Sequence, residues 1–244
     1  MSQSDLIRAV QKHYAEELPL GERWSDLTYI YSLRHPIGNY HRERIRRALL
    51  TLLNRQKIVL DHLTFLDIGC GTGDWLRVLA ELRGTVQGMY GIDLAASSLR
   101  RSVQINAQIA VNLGDARRLP YPTEAFTWVS QFLAFEHLLA NEDLQTACKE
   151  MARVCAPGGW MLWYDLLPLQ STYQRGFTQS EVQQLFPEFQ LLDQCTVFRH
   201  FKIGRRQIST AYNLAQRSPL LADWVERFIP GPANNLMLLF RKNV

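Results

Sequence analysis

Short apolar runs alternate along this chain with stretches in which apolar residues recur every third or fourth position. Phe65-Leu66-Asp67-Ile68 is one such run and reads as a buried parallel strand. It leads at once into Gly69, Gly71 and Gly73, then into a helical pattern over 74–82 that closes near Gly84. The unit then repeats, with a strand over 89–94, a helix over 95–104 and a short strand over 109–113. A fourth strand is predicted over 126–131. A helix over 144–154 follows, stopped by Pro157-Gly158-Gly159, and then a fifth strand over 160–166. Thr178 and Glu181 are spaced as a capping box that opens another helix. Residues 189–197 and 236–241 predict the last two strands. Strands alternating with helices in this way predict an α/β fold, a mostly parallel sheet covered on both faces.

The flanks are less regular. Residues 4–18 have helical spacing through Leu6, Val10, Tyr14 and Leu18, and Pro19 and Gly21 end it. Residues 24–41 are dense in aromatics, His and Arg, and predict irregular structure or short helices around Pro36-Ile37-Gly38. A helix over 42–54 places Ile45, Leu49 and Leu52 on one face, with Arg42, Arg46 and Arg47 largely on a solvated face. The excursion 198–235 is too long for a simple hairpin, and carries a helical pattern from Thr210 and a turn at Ser218-Pro219. The predicted division is an N-terminal helical cap segment, 1–57, and a domain, 58–244, with a cap insertion at 198–235.

Composition narrows the class. The 244 residues are 47% hydrophobic and 20% charged, ordinary for a soluble globular protein. No run reaches the roughly 18 apolar residues of a membrane span, and residues 1–14 lack the apolar core of a secretory signal. The four cysteines, Cys70, Cys148, Cys155 and Cys195, form no C-x-x-C pair, so neither a metal site nor a disulfide framework is expected. A reducing cytoplasm is the expected location. The net charge of +4 is too mild to argue for a nucleic-acid partner. Oligomeric state is not legible.

The candidate chemistry gathers at the glycines. Their G-x-G-x-G spacing lets the backbone turn sharply and approach a ligand closely. It differs from the G-x-G-x-x-G of dinucleotide sites, which aim a helix N-terminus at a pyrophosphate. Asp93, about twenty residues beyond the loop, is placed to accept both hydroxyls of a ribose.

Asp67-Ile-Gly-Cys-Gly-Thr-Gly resembles motif I of the class I S-adenosylmethionine-dependent methyltransferases. Gly114-Asp115-Ala116-Arg117-Arg118-Leu119-Pro120 resembles their G-D-A-x-x-L-P segment, and R-V-C-A-P-G-G at 153–159 their R-V-L-K-P-G-G. The likeness runs from about residue 64 to residue 166. The runs V-x-Q-F, P-G-G-x-x-L-W-Y-D and R-G-F-T-x-x-E-V-x-x-L-F-P look like a group of small bacterial methyltransferases of glycan and specialised-metabolite pathways. Glu136-His137 departs from that group and looks more like the E-H of quinone and small-molecule methyltransferases.

This resemblance implies a Rossmann-like, seven-stranded sheet with its last strand antiparallel, and S-adenosyl-L-methionine as cofactor. Carried onto this sequence, the cofactor contacts are Asp67, Gly69, Cys70, Gly71, Thr72, Gly73, Asp93, Leu94, Asp115, Ala116, Gln131 and Phe132. His137 is the candidate base, since imidazole titrates near neutrality, with Tyr164 and Asp165 at the end of strand five as further catalytic candidates. His35, Tyr40, Glu136 and Arg175 are candidate acceptor contacts. A base is needed only for an acceptor that must lose a proton. The implied reaction is methyl transfer to oxygen or nitrogen of a small-molecule or peptide acceptor. Its rivals are an RNA methyltransferase, with Arg42–Arg47 and Arg205-Arg206 as footprint, and a non-catalytic domain of the same fold.

Overall fold

The computed structural model describes residues 36–168, 174–197, 201–203, 206–208, 218 and 233–244. Its sheet has seven strands: β1 (Phe65–Ile68), β2 (Met89–Asp93), β3 (Ala110–Leu113), β4 (Phe126–Phe132), β5 (Cys155–Leu166), β6 (Phe189–Thr196) and β9 (Asn235–Lys242). A separate antiparallel pair, β7 (Phe201–Ile203) and β8 (Arg206–Ile208), lies within the predicted cap. The helices are α1 (Pro36–Arg55), α2 (Asp74–Arg83), α3 (Ala96–Ile105), α4 (Asn141–Val154) and α5 (Gln179–Leu185).

The strand order is β3-β2-β1-β4-β5-β9-β6. All pairs from β3 to β5 are parallel, while β9 runs antiparallel between β5 and β6. After β1 the chain builds outward through β2 and β3, then returns to place β4 on the other side of β1. Open α/β sheets bind ligands at such a switch point, beyond the carboxyl ends of the strands. Here that crevice lies above Ile68 and Phe132.

Both faces of the sheet are covered, because successive strand residues point to opposite sides. Leu66, Val129, Met161 and Trp163 pack with α4 and α5, where Trp163 meets Phe135, Phe177 and Phe186 edge-on. Phe65, Trp128, Leu162 and Tyr164 face α1 and α2. Ile45, Leu49 and Leu52 of α1 are buried in that second layer as their spacing predicts. From Tyr40 onward, α1 contributes side chains to the same buried layer as the sheet.

Three boundaries differ from expectation. Pro36-Ile37-Gly38 begins one continuous helix, α1, where irregular structure or short helices were expected. Proline is tolerated in a first helical turn because its missing N–H has no partner to lose there. Strand β5 starts at Cys155, directly after α4, and a register break between Phe126 and Trp128 absorbs the proline and glycines. Gly158 takes φ +63° at this irregularity. In the predicted cap, the described strand residues are those of β7, β8 and Asn235, the first residue of β9; Thr210 and Pro219 lie outside the described residues, as do residues 4–18. The capping box forms as predicted, with Glu181 N donating to Thr178 Oγ1 and Thr178 N to Glu181 Oε2.

Candidate functional site

Buried strands meet a strained glycine turn at the switch point. Gly69, Gly71 and Gly73 have φ of 73°, 53° and 76°, conformations that L side chains avoid. Gly69 and Gly71 differ in what surrounds them. A Cβ on Gly69 would stand 2.3 Å from Ala134 Cβ, so the turn after β4 presses directly on the loop. A Cβ on Gly71 would meet nothing within 4 Å. Gly71 thus opens onto free space at the top of the sheet.

Asp93 is bound to this loop. Its Oδ2 accepts from Gly71 N at 2.7 Å and its Oδ1 from Ala95 N at 2.7 Å. Burial raises the Asp93 carboxyl while these backbone donors act against the rise. Each oxygen has a second lone pair, so two ribose hydroxyls remain acceptable. The open face of Gly71 beside this carboxylate fits a nucleoside.

The other loop residues serve the turn. Gly69 N and Cys70 N both donate to Ile92 O, and Gly73 N donates to Cys70 O. Cys70 is buried against Gly91, and burial pushes its thiol well above the usual range. Thr72 offers its carbonyl to Arg77 NH1. Asp74, first residue of α2, pairs with Arg77 and, at 2.8 Å, with Arg42 of α1. Arg42 therefore leaves the expected solvated face and ties α1 to the loop, while Arg46 and Arg47 stay on the surface beside Glu43. Spacing alone gave no sign of the Arg42 contact, made across 32 residues.

Asp67 lies below the loop, 1% exposed, and accepts from Ser130 Oγ at 2.8 Å. Burial raises it to about 7, against the Ser130 hydrogen bond and with a further push from Asp93. Leu94 and Ala116 are half-buried against the core. Asp115 is held by its neighbour: Arg117 N, Nε and NH2 all donate to its carboxylate, and Arg117 NH1 reaches Asp143 of α4 at 2.8 Å. Burial works to raise Asp115, but the Arg117 bonds outweigh it and hold the carboxylate below its usual range. The sequence motif showed Asp115 and missed its Arg117 clamp.

On the acceptor side, Phe132 stacks on Trp75 with centroids 4.7 Å apart. Gln131 is wholly buried and fully engaged. Its Oε1 accepts from Ala134 N and Phe135 N, and its Nε2 donates to Tyr164 O and Asp165 Oδ2. An amide makes about four such bonds, so Gln131 shapes the turn after β4 and has no hydrogen-bonding capacity left for a cofactor. That turn, a single 3-10 turn over Phe135–His137, presents Glu136 and His137. Glu136 is 3% exposed, accepts from Gln174 Nε2 at 2.8 Å, and lies 3.5 Å from His137 Nε2. Asp165 is 1% exposed, and burial followed by the nearby Glu136 charge raises it well above the carboxylate range.

Tyr164 does not stand at the rim. It is fully buried on the α1 face against Phe132, because neighbouring strand residues point to opposite sides of the sheet. Tyr40 is likewise a core residue of α1. Arg175 donates from its backbone to Glu136 O and from NH1 to Asn141 Oδ1. His35 lies outside the described residues.

Residues 65–159 match the family described as a methyltransferase domain. Over that span the chain resembles a methyltransferase domain. The demethylmenaquinone methyltransferase of Bacillus licheniformis is 35% identical over 99 residues, covering 39% of this chain and 41% of that protein. That of Staphylococcus epidermidis is 27% identical over 143 residues, 57% of this chain and 56% of the other. The chain thus spans well under two thirds of these curated relatives. Among solved structures, the S-adenosylmethionine-dependent methyltransferase from Mesorhizobium loti has a TM-score of 0.57 at 15% identity, covering 79% of this chain and 96% of that one. The [4+2]-cyclase SpnF has a TM-score of 0.56 at 22% identity, covering 80% and 81%. These likenesses show that the chain has the fold of these structures. No described helix is long and apolar enough to cross a membrane.

Proposed function

We propose that the chain is an S-adenosylmethionine-dependent methyltransferase, acting in the cytoplasm on oxygen or nitrogen of a small or medium-sized acceptor. A natural product, a modified peptide and a glycan intermediate all fit. The observation that carries this reading is the open face of Gly71 beside Asp93, whose carboxylate is anchored to the loop at 2.7 Å. Gly69, Gly71 and Gly73 would let the cofactor lie against backbone, and Asp93 would hold its ribose. Asp115 and Ala116 would flank the adenine, with Asp115 kept ionised by Arg117.

S-adenosylmethionine supplies a methyl on a sulfonium, a leaving group activated by its own charge. The chain's contribution is chiefly to align the acceptor, since in-line geometry supplies most of the catalysis. His137, on the turn that presses against Gly69, would take the acceptor's proton where one must leave. A hydroxyl acceptor requires this step and a carboxylate does not.

The fold alone does not decide the chemistry, and one neighbour of the same fold is titled a cyclase. The names of the curated relatives favour a second reading, an aromatic ring of the demethylmenaquinone kind as acceptor. Both readings are tested by following S-adenosylhomocysteine formation by mass spectrometry against hydroxyl, amine and reduced-quinone acceptors. Turnover with the first two classes supports the first reading, and turnover confined to the quinone class supports the second.

A further inference from the structure

The turn after β4 is strained at one residue. Among the described residues, three besides glycine have a positive φ: Lys57, Glu124 and Leu133, at 52°, 60° and 55°. Lys57 and Glu124 lie exposed in surface turns. Leu133 differs from both, because it is apolar and half-buried against the α1 side of the core, at the switch point. An L side chain is disfavoured in this left-handed form and glycine is not. The surrounding bonds must therefore hold Leu133 there.

Leu133 N donates to Tyr164 O at 2.9 Å. The buried side chain of Gln131 then straps the turn from below. Its Oε1 accepts from Ala134 N at 3.1 Å and Phe135 N at 3.4 Å. Its Nε2 donates to Tyr164 O and Asp165 Oδ2, both at 3.3 Å. One amide thus ties the residues after Leu133 to the end of β5 and leaves Leu133 between fixed points. Ala134 comes next, and its Cβ would stand 2.3 Å from a Cβ on Gly69. Any shift of the turn therefore reaches the glycine loop directly. The same turn runs on into Phe135–His137.

We propose that Gln131 is a positioning residue for methyl transfer: its buried amide holds Leu133 left-handed, which seats Ala134 on Gly69 and fixes the cofactor loop relative to the turn that carries His137. The role rests on the methyl-transfer reading and deepens it. Gln131 itself touches neither cofactor nor acceptor. It removes the freedom of two segments that must be aligned before an in-line displacement can occur. Strain that neighbouring bonds over-determine clusters at sites of function, and Leu133 lies between the two segments that such alignment joins.

Two measurements on the full chain test this. The first is thermal unfolding of Leu133→Gly and Leu133→Ala. Both remove the leucine's packing, and at ordinary positions glycine is the less stable of the two. With residue 133 held left-handed, Leu133→Gly melts higher than Leu133→Ala by about 2–4 °C. Alanine melting higher overturns the proposal. The second is calorimetric titration with S-adenosylhomocysteine. Gln131→Met keeps the side chain's length without its amide, and affinity falls by about 10-fold or more. Adding Leu133→Gly to that variant recovers most of the loss, because glycine takes the left-handed form without a strap. A general loss of stability would not be repaired by deleting a second side chain. A folded Gln131→Met protein that binds as the wild type does, or that Leu133→Gly fails to rescue, overturns the proposal. Should Gln131→Met not fold alone, rescue is read as folding of the double variant, and a double variant equally unfolded overturns the proposal. A wild type that binds no S-adenosylhomocysteine overturns the methyl-transfer reading on which the role rests, whatever the melting order.

Discussion

The carboxylate of Asp93 and the backbone N–H of Gly71 are 2.7 Å apart although 22 residues separate them in the chain. This contact fixes the end of β2 against the glycine loop, and it sets the carboxylate proposed to hold a ribose beside the one loop glycine that faces open space. On the proposed reading Asp93 serves both loop and ligand, so its loss should be felt in both roles.

Asp93→Ala removes two backbone bonds and both ribose acceptors. Hydrogen bonds to a charged group contribute about 1.5–3 kcal/mol each, so cofactor affinity should fall by roughly 10- to 100-fold or more. Calorimetric titration checks this. Unchanged affinity would remove Asp93 from the site.

Gly69 and Gly71 should separate fold from function. Alanine at either position costs about 1–2 kcal/mol for the left-handed backbone. At Gly69 the added Cβ also meets Ala134 Cβ at 2.3 Å, and overpacking adds about 1–3 kcal/mol. Thermal unfolding should show the greater loss for Gly69→Ala, at about 2–4 °C per kcal/mol in a domain of this size. Gly71→Ala should stay nearer the wild-type melting temperature and lose cofactor binding. A reversed order would contradict the packing described.

Asp67 gives the protein a pH-dependent stability. Its folded value of about 7 lies above the ordinary 3.8, so folding favours the neutral acid. This contribution is fully present below about pH 4 and is lost as pH rises through about 7, at most roughly 4 kcal/mol. Urea unfolding between pH 4.5 and 8 should show a downward slope that Asp67→Asn flattens. An identical slope in the variant would show that Asp67 ionises freely in the fold.

His137→Ala should lower turnover by about 100-fold for a hydroxyl acceptor, with S-adenosylhomocysteine affinity nearly intact. Steady-state rates beside a binding titration separate the two effects. Full turnover would make His137 structural.

The strands and the glycine loop were legible because their signals are local. Phe65–Ile68 is a compact apolar run, the glycines follow at once, and Thr178 and Glu181 cap within one helical turn. Period-two alternation identifies Trp163 and Tyr164 as buried on opposite faces, yet a place at the end of β5 suggested the rim for Tyr164. What decides this is the helix α1 lying over that face. The clamps Arg42–Asp74 and Arg117–Asp143, and the Asp165–Glu136 pair, join residues 26 to 32 positions apart that only the finished fold brings together. Gln131 was legible as part of a motif, but its bonds to Ala134 and Phe135 depend on the turn that it shapes.

The central claim is that the open face of Gly71 beside Asp93 is a cofactor site. Calorimetric titration of the purified chain with S-adenosylhomocysteine tests it most directly. The predicted result is saturable binding with a Kd in the micromolar range, weakened in Asp93→Ala. A folded protein that takes up no S-adenosylhomocysteine would contradict the assignment and leave a methyltransferase fold without its cofactor.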